Sequence, residues 1–272
     1  MYGRRVSRGG RFSGGRLLIA AAIAIFSLIS YFSMSAPNPV TGENQRVNIS
    51  PEQEIALGVE AAPQMAQQFG GLDPDESKQA IVNEIGNRIV QQSPAGSSPY
   101  QFDFYVLNDD QTVNAFALPG GQIFITDALL MRFTTEGQLA GVLGHEIGHV
   151  VGRHSAEQIA KQQLTQGLTG AAVIAAYDPN DPNSVGTAQM AMLIGNLINM
   201  KYGRDDELES DMLGVCFMRD AGYDPAEMVD VMRILDEASE GGRPPEFFST
   251  HPNPASRVER IQEAINNIEN CP

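Results

Sequence analysis

The sequence predicts an α+β domain, mostly helical with a small sheet, behind an N-terminal transmembrane or signal helix. Three observations carry that prediction. Short apolar runs between Gln101 and Thr126, broken by turn-forming residues, read as strands. Longer segments on either side repeat apolar residues at helical spacing. One of these, 136–158, holds three of the four histidines, which places the reactive side chains on a helix. At 272 residues there is room for one sizeable domain and a short appendage.

Residues 17–34, LLIAAAIAIFSLISYFSM, are an eighteen-residue run without a charge, about 27 Å long as a helix. Arg4, Arg5, Arg8, Arg11 and Arg16 all come before the first acidic residue, Glu43. A basic flank followed by an apolar run is the pattern of an N-terminal anchor or an export signal. Pro37 disfavours cleavage after Ala36, whereas cleavage after Ser35 stays open beside an uncleaved anchor. Both readings export the body of the protein and give it a membrane as an early partner. Without those five arginines the balance is 13 basic against 33 acidic residues, a net −20. So acidic a body excludes nucleic acid as a partner, because phosphate binding needs clustered Lys and Arg. The expected organisation is a basic N-terminus with anchor or signal at 1–36, a linker at 37–49 and one domain at 50–272.

Along that domain, Ser50-Pro51-Glu52-Gln53 is a helix start, with Ser as N-cap and Pro at the first helical position. The helix runs to about Phe69, and a second covers 76–92 with Ile81, Ile85 and Ile89 at helical spacing. Strands follow at 101–107, 113–118 and 122–126, the last two around Pro119-Gly120-Gly121. Further helices are expected at 126–133, 136–158, 160–177, 187–201, 206–220, 225–239 and 254–270, and the turn-rich 247–254, with two prolines, is expected as a fixed surface loop. The apolar stretches 168–177 and 190–200 are too short to span a bilayer and read as core helices. Cys216 and Cys271 are too few for a disulfide scaffold or a cysteine zinc site. In an exported protein they can pair, and they can equally stay free.

His145-Glu146-Ile147-Gly148-His149 fits H-E-x-x-H. Residues four apart on a helix leave it in nearly the same direction, so both imidazoles reach one metal ion. Glu146 beside them is placed to hold and deprotonate a water. The motif is short enough to arise by chance, and catalytic zinc takes a third protein ligand. His154 is one position short of the spacing that would make it that ligand, and reads as a helix-end residue. A carboxylate pair fits better: Glu207 to the metal and, one helical turn on, Asp211 to the free N–H of a ligand histidine. Alone, that pair would be an ordinary acidic helix start; about sixty residues after H-E-x-x-H it gains a role.

These residues resemble the gluzincin metallopeptidase family of the CAAX prenyl endopeptidases, HtpX and bacterial envelope quality-control peptidases. The likeness extends over 50–266. Ser50-Pro51-Glu52-Gln53-Glu54 looks like the family's opening helix, and 114–121, NAFALPGG, like the segment before its substrate-binding edge strand. His251-Pro252 with Arg257-Val258 looks like its closing His-Pro motif. Ser210 stands where Ala is usual before the Asp. The several membrane helices of some members and a tetratricopeptide extension are not seen, so the chain resembles a compact, single-domain exported branch.

The resemblance implies a zincin-like fold and one Zn2+ per chain on His145, His149 and Glu207, with Glu146 as general base and Asp211 behind a ligand. It implies that an extended peptide pairs with an edge strand, expected at 122–126, with Asn114, Phe116, Gly121, Gln122, Ile123 and Phe124 in substrate binding. His251 would donate to the oxyanion or occupy the open metal position, and Arg257 is a second candidate donor. The implied function is a zinc-dependent metalloendopeptidase hydrolysing exported or membrane-associated proteins, in envelope quality control. Its partners would be unfolded or misfolded envelope polypeptides, and its place the periplasmic side of an inner membrane. The alternative is an envelope chaperone or assembly factor with a structural zinc site, in which Glu146 would have no duty.

Overall fold

The structure, a computed structural model, describes residues 14–176, 202–239, 245–252 and 256–271. The helix expected at 187–201 and four of the five N-terminal arginines lie outside these residues. The chain divides into two units, Met1–Ser35 with Gln158–Met200, and Ala36–Glu157 with Lys201–Pro272.

The first unit contains helix α1, Gly14–Ser33, whose twenty residues reach about 30 Å at 1.5 Å per residue. Ala20 is its one buried residue, and large apolar side chains such as Leu18, Phe26, Ile29 and Phe32 are exposed. Two of its serines turn inward on the helix: Ser27 Oγ donates to the Ile23 carbonyl and Ser33 Oγ to that of Ser30, each at 2.9 Å. A helix that satisfies its own polar groups and exposes apolar ones suits a lipid surround.

The second unit begins with an antiparallel ribbon, β1 (Ala36–Pro37) and β2 (Asn44–Gln45), inside the segment read from sequence as a linker. Helix α2, Pro51–Gln68, opens with a complete capping box between Ser50 and Gln53, and α3, Glu76–Gln92, is capped by Asp75. Strands β3 (Asp103–Leu107), β4 (Ala115–Ala117) and β5 (Gln122–Thr126) form one sheet in the order β3-β5-β4. β5 is parallel to β3 and antiparallel to β4.

This order corrects one expectation. The strand 122–126 is not an edge: it pairs on both sides, and all five of its residues are buried. The turn explains why. Gly120 and Gly121 adopt φ 81° and 115°, open to glycine at little cost, and fold β4 back onto β5. The Gly121 carbonyl then accepts from Asp103 N at 3.0 Å, which brings β3 onto the far side. Apolar residues cover both faces. One core joins the sheet to the long helices, and a smaller cluster of Leu107, Phe116 and Phe124 packs against Ala62, Met65 and Phe69 of the α2 region.

After α4 (Asp127–Leu130) come α5 (Glu136–Val151), α6 (His154–Ala176), α7 (Arg204–Asp220), α8 (Glu227–Ser239), α9 (Phe247–Thr250) and α10 (Arg257–Asn266). α5 and α7 approach closely because glycines line the contact. A Cβ on Gly144 would lie 3.2 Å from the Gly214 carbonyl oxygen, and one on Gly148 3.0 Å from that of Ser210. Backbones this close bring short side chains of the two helices together. Cys216 of α7 and Cys271, just past α10, form a disulfide with Cα atoms 5.6 Å apart.

Two expectations change here. The helix expected over 136–158 ends at Val151, because Arg153 takes φ 58° and turns the chain before His154 starts α6. Asn38 Nδ2 donates to the Val151 carbonyl at 2.8 Å, and Gln45 Nε2 donates to that of Gly152, so the ribbon satisfies the helix end. The segment 247–252, expected as a surface loop, is instead docked. Phe247 N donates to the Val113 carbonyl at 3.2 Å, Phe247 fills the core, and His251 is fully buried.

Candidate active site

α5 presents His145 and His149 one turn apart, both buried, with their Nε2 atoms 3.0 Å from each other. At that distance two N–H groups would oppose each other, so at least one nitrogen offers a lone pair. α7 brings Glu207 over them: Oε1 lies 3.4 Å from His149 Nε2 and Oε2 3.7 Å from His145 Nε2. His251, directly after α9, places Nδ1 3.0 Å from Glu207 Oε1 and 3.4 Å from His145 Nε2. One donor atom from each of these four residues lies within 4.8 Å of the other three.

Glu146 is fully buried beside this cluster, with His251 Nε2 3.6 Å from its Oε1. Burial raises its pKa, and the nearby His251 and His145 offset part of the rise. Burial drives His149 well below its ordinary value, so its ring is neutral and can donate a lone pair. Burial also opposes the charge on Glu207, but His251, His149 and His145 outweigh it and hold the carboxylate ionised.

Behind His145, Asp211 Oδ1 stands 2.9 Å from Nδ1. Arg257 grips that carboxylate with two hydrogen bonds, Nε to Oδ2 at 2.7 Å and Nη2 to Oδ1 at 2.8 Å, and sets Nη1 2.9 Å from Glu207 Oε2. Burial would raise Asp211, yet Arg257 and His145 prevail and lower it. The resemblance offered Arg257 as a second candidate oxyanion donor; its guanidinium is buried and turned to two site carboxylates. On the other flank Tyr202 stacks on the His149 ring, centroids 4.2 Å apart, and its hydroxyl meets Ser155 Oγ at 3.1 Å.

The unsatisfied atoms say what fits the centre. Both Glu146 oxygens and His251 Nε2 are buried without a hydrogen-bond partner among the described residues. Orphaned buried carboxylate oxygens are costly, and a cation with a water beside it supplies what they lack. Two imidazoles and a carboxylate are a donor set that binds divalent metal ions.

Residues 76–265 match the family model described as Peptidase family M48. The chain belongs to that family. The beta-barrel assembly-enhancing protease of Escherichia coli (strain K12) is 31% identical over 265 residues, 92% of this chain and 52% of that protein. The mitochondrial metalloendopeptidase OMA1 of Schizosaccharomyces pombe is 28% identical over 254 residues, 92% of this chain and 70% of the relative. Human OMA1 is 26% identical over 255 residues, 90% of this chain and 48% of its own length. The chain thus spans about half the length of the bacterial and human relatives. M48 membership and the four-donor cluster together imply a bound metal ion.

Of the residues weighed in the sequence, His145, Glu146, His149, Glu207, Asp211, His251 and Arg257 meet around one point. The substrate-binding candidates do not. Gln122, Ile123 and Phe124 are buried in the central strand, Gln122 bonded to Tyr105 and Asp103. Phe116 stacks on Phe124 in the small core, and Gly121 forms the turn. Asn114, at the start of β4, keeps a buried Oδ1 without a partner among the described residues. His154, read from sequence as a helix-end residue, stands at the first position of α6, and Tyr202 carries no signal in the sequence. The spacing of His154 is wrong for a ligand, and the turn at Gly152-Arg153 sets its ring beside that of His149.

Proposed function

We propose that this chain is a zinc-dependent metalloendopeptidase that cleaves exported or membrane-associated polypeptides in envelope quality control. The observation that carries the reading is the group of four buried donors with the partnerless carboxylate of Glu146 beside it. Zinc held by His145, His149 and Glu207 would polarise a scissile carbonyl and acidify a water. Glu146 takes the water's proton and passes it to the leaving amine. Asp211 keeps the His145 proton on Nδ1, which leaves Nε2 to bind the ion, and Arg257 holds both carboxylates in register. A chaperone with a structural zinc site gives Glu146 no such duty.

The test is metal dependence tied to one residue. Chelation should stop cleavage of unfolded casein and added zinc restore it. Glu207→Ala should lose most bound zinc, whereas Asp211→Ala should weaken binding about 10–100-fold. Unaltered zinc affinity in Glu207→Ala would sink the assignment.

The free edge of β4 is the better place for substrate. Asn114 and Leu118 turn their backbone groups to β5, so by strand alternation Ala115 and Ala117 turn theirs away from it. Among the described residues β4 pairs with β5 alone, and it packs on the helix carrying His145 and His149. An extended peptide paired there gains backbone hydrogen bonds with little sequence selectivity. Ala117→Pro removes one outward donor and should raise KM about 3–10-fold, the worth of one hydrogen bond. An unchanged KM would move the substrate elsewhere.

The N-terminal helix is read as an anchor with the catalytic unit outside the cytoplasm, since basic residues stay inside. The disulfide supports an oxidising compartment. A topology reporter fused after Pro272 should therefore be active only as an exported reporter; a cytoplasmic signal overturns this placement.

A further inference from the structure

The two histidines of α5 are backed differently, and the difference gives His154 a task. An imidazole that binds a metal through Nε2 must carry its proton on Nδ1, and a buried Nδ1–H needs an acceptor. For His145 that acceptor is Asp211. For His149 the atom in range is Nδ1 of His154, 2.9 Å from His149 Nδ1. The remaining protons then follow. If His154 accepts at Nδ1, its own proton lies on Nε2, and Nε2 is 3.2 Å from Glu209 Oε2. Ser210 Oγ also lies 3.2 Å from His154 Nδ1, and its hydroxyl can turn its proton elsewhere and leave that lone pair to His149.

His154 is buried, and its place depends on the Arg153 turn. That turn is fixed from outside the helix: Arg153 Nε donates to Glu54 Oε1 at 2.9 Å and Nη2 to the Ile49 carbonyl at 2.8 Å. We propose that His154 is a positioning residue for metal binding, accepting the Nδ1–H of His149 and itself oriented by Glu209. The inference rests on the metal site proposed above. It makes the second ligand's support another imidazole relayed to a carboxylate, where the first ligand's support is a carboxylate held by arginine.

The test compares zinc affinities by competition with a chromophoric chelator, alongside the absorption spectrum of the cobalt-loaded protein. His154→Leu keeps bulk and removes the acceptor; it should lower zinc affinity about 10–100-fold and alter the cobalt spectrum. His154→Asn places an amide oxygen near the old Nδ1 and should recover most of that affinity. Glu209→Leu, at a partly exposed side chain, should show a smaller loss in the same direction and is the safer variant for folding. Glu207→Ala is the control for the site itself. Wild-type affinity in His154→Leu and Glu209→Leu, with affinity lost in Glu207→Ala, overturns the role of His154 alone. Equal losses in His154→Leu and His154→Asn overturn it too, since packing and not acceptance would then matter. Wild-type affinity in Glu207→Ala overturns the metal site and this inference with it.

Discussion

Glu146→Gln is expected to keep zinc and lose peptide hydrolysis by about 10²–10⁴-fold, the usual worth of a general base. The substitution changes almost no volume, so any effect comes from basicity. In the structure Glu146 is enclosed, its two oxygens lack hydrogen-bond partners among the described residues, and burial raises its pKa. A carboxylate so placed is a better base than one in water and a poor contributor to stability. Two results should therefore go together. Activity falls, while the metal-free variant melts close to the wild-type temperature, because burial opposes the Glu146 charge and the nearby His251 and His145 return only part of that cost. Zinc by atomic absorption, casein cleavage and a thermal melt measure all three. Cleavage at the wild-type rate would remove Glu146 from the mechanism, and lost zinc would make it a ligand instead of a base.

Much of this site was legible because helical spacing is a strong geometric constraint. His145 and His149 share a face by arithmetic alone, and so do Glu207 and Asp211. What brings the two pairs together is less visible. Gly144, Gly148 and Gly214 carry no chemistry, yet they let α5 and α7 approach closely enough for Glu207 to meet both rings. The helix caps at Ser50 and Asp75 were local signals, and Ser50 gave a helix start that matches α2. The strand at 122–126 misled because a family pattern supplied an edge where the residues themselves read otherwise. Ile123, Phe124 and Ile125 are consecutive apolar residues, the pattern of a strand buried on both faces. The break at Arg153 was hidden because its cause is distant: from about a hundred residues away Asn38 and Gln45 satisfy the helix end, and Ile49 and Glu54 hold the Arg153 side chain.

His251→Ala is expected to bind zinc, cleave casein faster than the wild type and cut itself more readily. The sequence left two duties open, an oxyanion donor and an occupant of the open metal position. Geometry favours the second. His251 Nδ1 lies inside the donor cluster, 3.0 Å from Glu207 Oε1 and 3.4 Å from His145 Nε2, not at its rim. Its ring stacks on Phe247 with centroids 4.4 Å apart, and Phe247 is itself tied to the residue two before β4. A side chain held in this way occupies space that a scissile carbonyl and a water need, so it must withdraw before hydrolysis. Burial opposes a charge on His251, but Glu146 and Glu207 outweigh it and raise its pKa. Alanine removes both the fourth donor and the plug while His145, His149 and Glu207 remain to bind the ion. The measurement is casein cleavage per zinc-loaded chain, with self-cleavage followed on a gel. A loss of about 10²–10³-fold with zinc retained would restore the oxyanion role, because that is the effect of removing one such donor.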